Sequence, residues 1–459
     1  MIYIDKNSKE PYYLQIYNNI LNDILSGKIV SGTKLMGSRT LSEKLEVSRN
    51  TVNSAYAQLA AEGYIESKKG ANFEVLNIPK INKATKKYFK EDKNKNKTKV
   101  KNNNIVFDLH FSNNLFPKAK WRKYSLEALN NYEEVCNSKN EKGSIFLRNE
   151  LRKYLYESRG VNCNENQIII TNGLQDSLQL IVNLLELNNS TVAVEEPCYH
   201  DAYSIFAENS NIEKISIDKE GIKIPGEVTF KKIKVIYTTP SHQFPTGIVM
   251  SIKRRYELLK WAENNNSYII EDDYDSEFTY YTKPIPSLQS IDENSRVIYL
   301  GTFSKSISPA IRMGYIILPK YILEKYENRI NKYTCSVSLI DQYIVGRFIE
   351  SGDYKRHIRK LCVSFKKNHD LFVKELSKFN SEIKIRKSGA GIWILLEFPK
   401  EKSYEEILNS AEKQGVKVYT SKGNWHQEDN TSKLILLGLA HIKYKDIENC
   451  IERLKKAWT

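Results

Sequence analysis

The chain has 459 residues, 41% of them hydrophobic and 11% aromatic, and carries a formal net charge of +15. That length exceeds what one hydrophobic core usually absorbs, so at least two domains are expected, and the basic balance favours a polyanion such as nucleic acid or anionic lipid as partner. Six scattered cysteines without a CxxC pair exclude a zinc knuckle or a disulfide framework, and no run approaches the roughly 20 apolar residues of a membrane span.

The first residues, MIYIDKNSKEPYY, lack an apolar core, so they are not read as a signal peptide and the chain is taken as cytoplasmic, with no membrane partner and no metal. Residues 11–29 place Leu14, Ile16, Tyr17, Ile20, Leu21, Ile24 and Leu25 at helical spacing, with Gly27 closing the helix. Residues 38–47 predict a second, short helix with Ser38 able to cap it and Leu41 and Leu45 on one face. A turn at Val47 and Ser48 leads into a third helix over 49–63 that buries Val52, Tyr56 and Leu59 and turns Arg49, Asn50, Thr51 and Asn53 outward. Residues 64–75 read as a hairpin with Gly70 near its tip and Lys68 and Lys69 placed for phosphates.

Two helices joined by a tight turn, the second polar at its N-terminal end, suit a major groove, where Arg49 and Asn50 meet phosphates or base edges. Periodicity alone leaves open a small helical protein-interaction domain. The wording of the segment is more specific: "YLQIYNNILNDILSGKIVSGTKL", "SRTLSEKLEVSRNTV" and "AYAQLAAEGYIESKKG" resemble the GntR-type winged helix-turn-helix. The resemblance implies DNA contacts through Arg39, Ser48, Arg49, Asn50 and Thr51, with the wing around Lys68 and Gly70. Two departures are Met36-Gly37, where that family usually has a proline, and Ala71-Asn72, where a glycine-rich tip is usual.

The head so defined spans 1–78. Residues 79–104 are expected to be a flexible linker: from 80 on they hold ten lysines against Glu91 and Asp92, and too little apolar surface to offset the entropy of ordering. The body, 105–459, alternates β-rich apolar runs with amphipathic segments, which points to an α/β fold with a mostly parallel sheet and ligands at the carboxyl ends of its strands.

Five strand ends of the body carry chemistry. "IIITNGLQDSLQLIVNLL" (168–185) runs from a strand through Gly173 and Leu174 into a helix whose free N–H groups suit a phosphate. "EEPCYHDAY" (195–203) offers the ring of Tyr199 as a flat cover, and "PSHQFPTG" (240–247) is a turn whose polar side chains, Gln243 among them, are in position for a ring hydroxyl. "YIIEDDYDSEF" (268–278) ends a strand in acids, Asp272 and Asp273, that suit a protonated pyridine nitrogen. "GTFSKSISPAIRMGY" (301–315) sets Lys305 among the hydroxyls of Thr302, Ser304 and Ser306, with Arg312 seven residues on. Hydroxyls and an arginine suit a phosphate, and a lysine with a lowered pKa suits a Schiff base with an aldehyde; pyridoxal 5′-phosphate (PLP) has both groups. Taken alone, Lys305 reads better as an ordinary surface strand–loop lysine, and the other segments change that balance.

Together these segments resemble the PLP-dependent transferases of fold type I, with a smaller C-terminal α/β subdomain, and with the head attached they resemble the MocR family of transcriptional regulators. The resemblance implies that Lys305 forms the Schiff base, Asp272 pairs with the pyridine nitrogen, Tyr199 stacks on the ring and Tyr274 lies near the ring hydroxyl. It further implies that Gly173, Leu174, Thr302 and Arg312 hold the phosphate, that a small-molecule effector (PLP or an amino acid) controls binding to double-stranded DNA, and that the chain forms a head-to-tail homodimer. Three positions depart from a working aminotransferase: Phe244 stands where an asparagine is usual, Leu436 where an arginine grips the substrate carboxylate, and "SKNEKG" (138–143) lacks a usual tyrosine. A bidentate arginine–carboxylate pair is a strong, orienting contact. Its loss at Leu436 favours a sensor over an enzyme and inclines the signal toward PLP itself, unless another arginine such as Arg386 reaches the carboxylate. The alternatives are an active aminotransferase with an accessory DNA-binding domain and a cofactor-free scaffold.

Overall fold

In the head, Ile16, Ile20 and Ile24 recur every fourth residue along α1 (Tyr12–Leu25) and are buried, so one stripe of the helix faces inward. The computed structural model describes residues 4–6, 8, 10–67, 72–77, 105–107, 115–137, 141–226, 232–281, 285–329, 334–379, 382–386, 390–425 and 433–458. The expected linker at 79–104 lies outside them. The chain forms two compact units, residues 1–100 and 101–459.

The first unit adds α2 (Ser38–Leu45), α3 (Arg49–Ala61) and an antiparallel pair, β1 (Ile65–Glu66) with β2 (Glu74–Val75). Leu41, Val52, Tyr56, Leu59 and Ile65 close its core against α1, each contributing roughly 1.5–3 kcal/mol by leaving water. Ser48 caps α3 by accepting from the Thr51 N–H at 3.1 Å. The expected Ser38 cap is corrected: Gly37 is the capping residue, without a side-chain bond, and Ser38 is the first helical residue. At Met36-Gly37, ahead of α2, the Met36 carbonyl is tied down by the Tyr56 hydroxyl at 2.8 Å. The wing tip, including Lys68, Lys69, Gly70 and Ala71, lies outside the described residues.

The second unit carries the remaining strands: β3 (Ile105–Val106), β4 (Ile168–Thr171), β5 (Thr191–Glu196), β6 (Asn211–Asp218), β7 (Gly221–Ile222), β8 (Ile233–Thr238), β9 (Tyr268–Asp273), β10 (Val297–Thr302), β11 (Gly314–Ile317), β12 (Lys384–Arg386), β13 (Trp393–Phe398), β14 (Val416–Lys417), β15 (Tyr419–Thr420) and β16 (Lys433–Gly438). Its helices are α4 (Lys118–Asn130), α5 (Tyr132–Asn137), α6 (Ile145–Arg159), α7 (Leu174–Leu185), α8 (His200–Asn209), α9 (Ile252–Asn264), α10 (Lys320–Glu327), α11 (Leu339–Glu350), α12 (Asp353–Leu376), α13 (Tyr404–Lys413) and α14 (Ile447–Trp458).

The large sheet has eight strands in the order β4-β11-β10-β9-β8-β5-β6-β7. Neighbours from β10 through β6 are parallel, while β11 is antiparallel to both β10 and β4, so β4 runs the same way as β10. The strands read as continuous apolar runs because helices cover both faces; β5 is buried at every position. On one side Leu178, Ile181, Phe206 and Ile322 of α7, α8 and α10 pack on Val194, Tyr237 and Ile316. On the other, Leu147, Leu151, Ile344 and Phe348 of α6 and α11 pack on Ile170 and Tyr299. The shared direction brings the carboxyl ends of β4, β5, β8, β9 and β10 to one edge, where a ligand site is expected.

A smaller antiparallel sheet, β12-β13-β16-β15, forms the C-terminal subdomain. Its two central strands alternate strictly: Ile394, Leu396, Ile435 and Leu437 face α13 and α14, whereas Trp393, Leu395, Leu434 and Leu436 face the opposite way, into a cluster with Phe244 and Tyr274 of the large sheet's edge.

Candidate functional site

The turn from β4 into α7 is built for an anion. Gly173 takes φ 81°, a left-handed conformation a side chain would strain, and opens the first turn of a 12-residue helix whose leading N–H groups have no partner within the helix. The Thr171 and Ser177 hydroxyls, 2.7 Å apart, lock that turn. Across it lies Arg312, itself left-handed at φ 50° after a short helical turn (Pro309–Ile311), with its guanidinium 3.4 Å from where a Cβ on Gly173 would stand. Gly173, Leu174 and Arg312 therefore share one cradle. Thr302 ends β10, and its hydroxyl accepts from the Ser304 N–H at 3.1 Å; both residues are half-buried.

Lys305 follows in the turn after β10, half-buried, and its charge acts on Asp275. The two acids that the sequence leaves side by side separate by strand alternation. Asp273 takes the Arg159 guanidinium at 2.8 Å, the Ser276 hydroxyl at 2.8 Å and the Tyr299 hydroxyl; burial opposes its charge, but Arg159 and the surrounding hydroxyls outweigh it and hold the carboxyl below its usual range. Asp272 is 5% exposed and has the Tyr237 hydroxyl at 2.6 Å. Burial first, and then the neighbouring charges of Asp273, Asp275 and Glu195, push its carboxyl up to about 7 against that hydrogen bond. Such a carboxylate is short of a cation, which a protonated ring nitrogen would supply.

Tyr199 begins α8, with its hydroxyl on Asp201 at 2.9 Å; the Asn424 carbonyl takes the Cys198 N–H and the Asn424 side chain the His200 N–H, so the loop after β15 fixes the segment. Burial, then Asp201, raises its hydroxyl well above the ordinary tyrosine range, and the charges of Asp272 and Arg312 also act on it. A phosphate cradle, a lysine, a cation-seeking carboxylate and a flat ring thus meet at one sheet edge. This set fits PLP.

Two of the expected side chains hold the turn after β8. Gln243 is 1% exposed and its amide is spent inside the turn: the NH2 faces the Pro197 and Phe244 carbonyls and Glu195, and the oxygen accepts from Thr246. It braces the turn rather than a ring hydroxyl. The Tyr274 hydroxyl donates to the His242 carbonyl at 2.7 Å, so this side chain also ties the turn to β9. Of "SKNEKG", residues 138–140 lie outside the described ones, and Lys142 turns inward to Glu327 at 2.6 Å and to the Asn166 carbonyl.

Leu436 is fully buried, opposite Leu395 and Tyr419 in the small sheet. Arg386 does not replace an arginine there: it lies on the edge strand β12 and pairs with Glu397 at 2.8 Å. Lys433, of opposite parity to Leu436, stands over the Tyr404 ring. Phe244 sits edge-on to Tyr199, Trp393 and Tyr274, at centroid distances of 5.5, 5.4 and 6.4 Å.

Sequence reasoning missed the pair His242–Asp275, 2.8 Å apart and each 1% exposed in its side chain, with the His242 ring packed on Trp393 at 4.5 Å. Gly391 lies so close that any Cβ there would meet the imidazole at 2.0 Å. Both partners stand in quoted motifs, but 33 residues apart, and Trp393 carries no signal beyond strand alternation.

In the head, Arg39, Ser48, Arg49, Asn50 and Asn53 are exposed and Thr51 is half-buried. Thr51 and Ser48 share a hydrogen bond at 2.8 Å, and Arg39 pairs with Glu43 at 3.2 Å, a solvent-exposed contact that is cheap to exchange for a phosphate.

Residues 104–454 match the family model of class I and II aminotransferases, and residues 12–75 match that of the gntR family of bacterial regulatory proteins. The uncharacterized HTH-type transcriptional regulator YdeL of Bacillus subtilis is 35% identical over 466 residues, covering 99% of this chain and 98% of its own. The protein named "Probable rhizopine catabolism regulatory protein MocR" of Rhizobium meliloti is 28% identical over 481 residues, covering 100% and 96%. Among solved structures, the kynurenine aminotransferase of Pyrococcus horikoshii, crystallised with PMP, KYN as substrates and KYA as products, superposes with a TM-score of 0.70 at 25% identity, over 82% of this chain and 98% of that one.

Proposed function

We propose that this chain, which belongs to the MocR family by uniting a gntR-type head with a class I and II aminotransferase body, is a transcriptional regulator that reads PLP or an amine-bearing effector in the body and answers through DNA bound by the head. The body takes PLP as its cofactor, in a site of the residues described above. Bound there, PLP supplies an aldehyde that condenses with a primary amine and a ring that withdraws electrons. Lys305 offers that amine, Asp272 holds a proton on the ring nitrogen, and Tyr199 covers the ring. The N-terminus of α7, from Gly173 and Leu174, and the Arg312 guanidinium would balance the phosphate charge, and the Thr302 and Ser304 hydroxyls would donate hydrogen bonds to it.

The observation that carries a sensing role is the burial of Leu436 in an apolar cluster while Arg386 is committed to Glu397. A site that fixes its cofactor but has no guanidinium to orient an amino-acid carboxylate is poorly equipped for turnover. An active aminotransferase remains the rival reading, favoured by the fit of the cofactor site; sustained transamination over a panel of amino and keto acids would establish it.

In the head, Arg49 and Asn50 at the exposed start of α3 suit base edges or phosphates, Ser48 and Thr51 frame that helix end, and Arg39, Lys68 and the wing at Gly70 suit the flanking backbone. We take the domains as 1–78, a linker at 79–104 and 105–459; the division of the chain near residue 100 supports this reading. A head-to-tail homodimer in the cytoplasm suits a regulator of paired half-sites. Among the described residues no helix is long and apolar enough to cross a membrane. Footprinting of the full chain on the DNA upstream of its own gene tests the head, and near-visible absorbance that vanishes in Lys305→Ala tests the body.

A further inference from the structure

Aromatic side chains cluster where the large sheet's edge meets the small subdomain, and buried acids stand behind them. Trp393 and Tyr274 lie parallel at a centroid distance of 6.0 Å, with Phe244 edge-on to both and to Tyr199. Phe244, Tyr274 and Tyr199 keep part of their surface exposed, while Leu436 seals the apolar layer behind Trp393. Asp275, on which the Lys305 charge acts, adjoins this wall through His242. Its second oxygen, and Nε2 of the buried His242, have no hydrogen-bond partner among the described residues.

Among the described residues, the arginines near this edge are placed elsewhere. Arg159 belongs to Asp273, Arg255 to Glu271, and Arg386 to Glu397, while Arg312 lies at the phosphate cradle. A ligand carboxylate placed against the aromatic wall would lie near Asp272 and Asp275 with, among the described residues, no guanidinium to receive it, and an unpaired buried charge is strongly disfavoured. An ammonium meets the reverse conditions: acids nearby and aromatic faces, which attract cations.

Resting on the reading of this edge as the cofactor site, we infer that the small molecule sensed there is an organic amine with an apolar, ring-sized arm and no carboxylate, seated on Phe244 and Tyr274. The arm is held by the aromatic wall, and the buried acids behind that wall favour a cationic polar end. This chemistry separates the site from one that takes amino acids and from one that responds to PLP alone.

The test is calorimetric titration of the PLP-loaded full chain with 2-phenylethylamine, L-phenylalanine and methylamine. The first two differ only by the carboxylate, and the third lacks the ring. The expected result is 2-phenylethylamine binding at least about tenfold more tightly than either of the others. L-phenylalanine binding as tightly, methylamine binding as tightly, or no binding by any of them overturns the inference. In Leu436→Arg the preference should move toward L-phenylalanine; if that variant does not fold, the wild-type comparison decides alone. Absorbance recorded before any amine is added keeps the two levels apart. Without a near-visible band that Lys305→Ala abolishes, the cofactor reading fails and this inference with it, whereas a normal band with no amine preference sinks this inference only.

Discussion

Replacing Arg312 with glutamine removes the guanidinium from the mouth of α7 while keeping a side chain of similar reach. The residue sits at φ 50°, and glutamine bears the same left-handed strain as arginine, so any loss is not a backbone effect. A hydrogen bond to a charged group contributes roughly 1.5–3 kcal/mol, so PLP affinity should fall about ten- to a hundredfold. The assay is fluorescence titration of the cofactor-free chain with PLP and, separately, with pyridoxal, which lacks the phosphate. Pyridoxal should bind Arg312→Gln and the wild type alike, because the lost contact is to the phosphate alone. Equal weakening for both ligands would refute the placing of the phosphate at Gly173 and Arg312, and no weakening for PLP would refute the role of Arg312.

Other perturbations follow from the same geometry. Ser48→Ala removes the hydrogen bond to the Thr51 N–H and should cost the head about 1 kcal/mol, read as a lower melting temperature. Arg49→Ala and Asn50→Ala, both exposed, should leave melting unchanged and weaken operator binding in a gel shift. Asp272 stays protonated in the folded cofactor-free chain up to about pH 7, whereas an unfolded aspartate ionises near the ordinary value of about 3.9. The unfolded state therefore loses its proton first, and this group lowers stability as pH rises from about 4 to about 7. Melting curves across that range should fall less steeply for Asp272→Asn than for the wild type, and identical slopes would contradict the assignment. Leu436→Ala should cost roughly 2–5 kcal/mol in thermal or urea unfolding, because the fully buried side chain leaves a cavity against Leu395 and Trp393.

That the candidate residues gather at one edge was readable because they lie in short segments at strand ends. Gly173-Leu174, Asp272, Thr302 and Lys305 follow or end apolar runs, and a parallel sheet brings such ends to one edge whatever their distance in sequence. Leu436 was equally legible, since alternation along β16 places it opposite in face to Lys433. Side-chain commitments were not. Gln243 reads as a ligand from its motif, but nothing local reveals that Pro197, Glu195 and Thr246 consume its amide. Ser38 looks like a helix cap because serine prefers that position, yet the turn before α2 places Gly37 there. His242 and Asp275 follow the neighbouring strands β8 and β9, and their meeting depends on how the two turns fold beyond the strand ends, which no periodicity encodes.

The central claim is that cofactor chemistry at Lys305 governs DNA binding by the head. Its most direct test is quantitative footprinting of the full chain on its operator, with and without PLP, for the wild type and Lys305→Ala. PLP should change the affinity or the extent of protection for the wild type and leave Lys305→Ala unchanged. A footprint indifferent to PLP in the wild type, or one that responds equally in Lys305→Ala, would contradict the account.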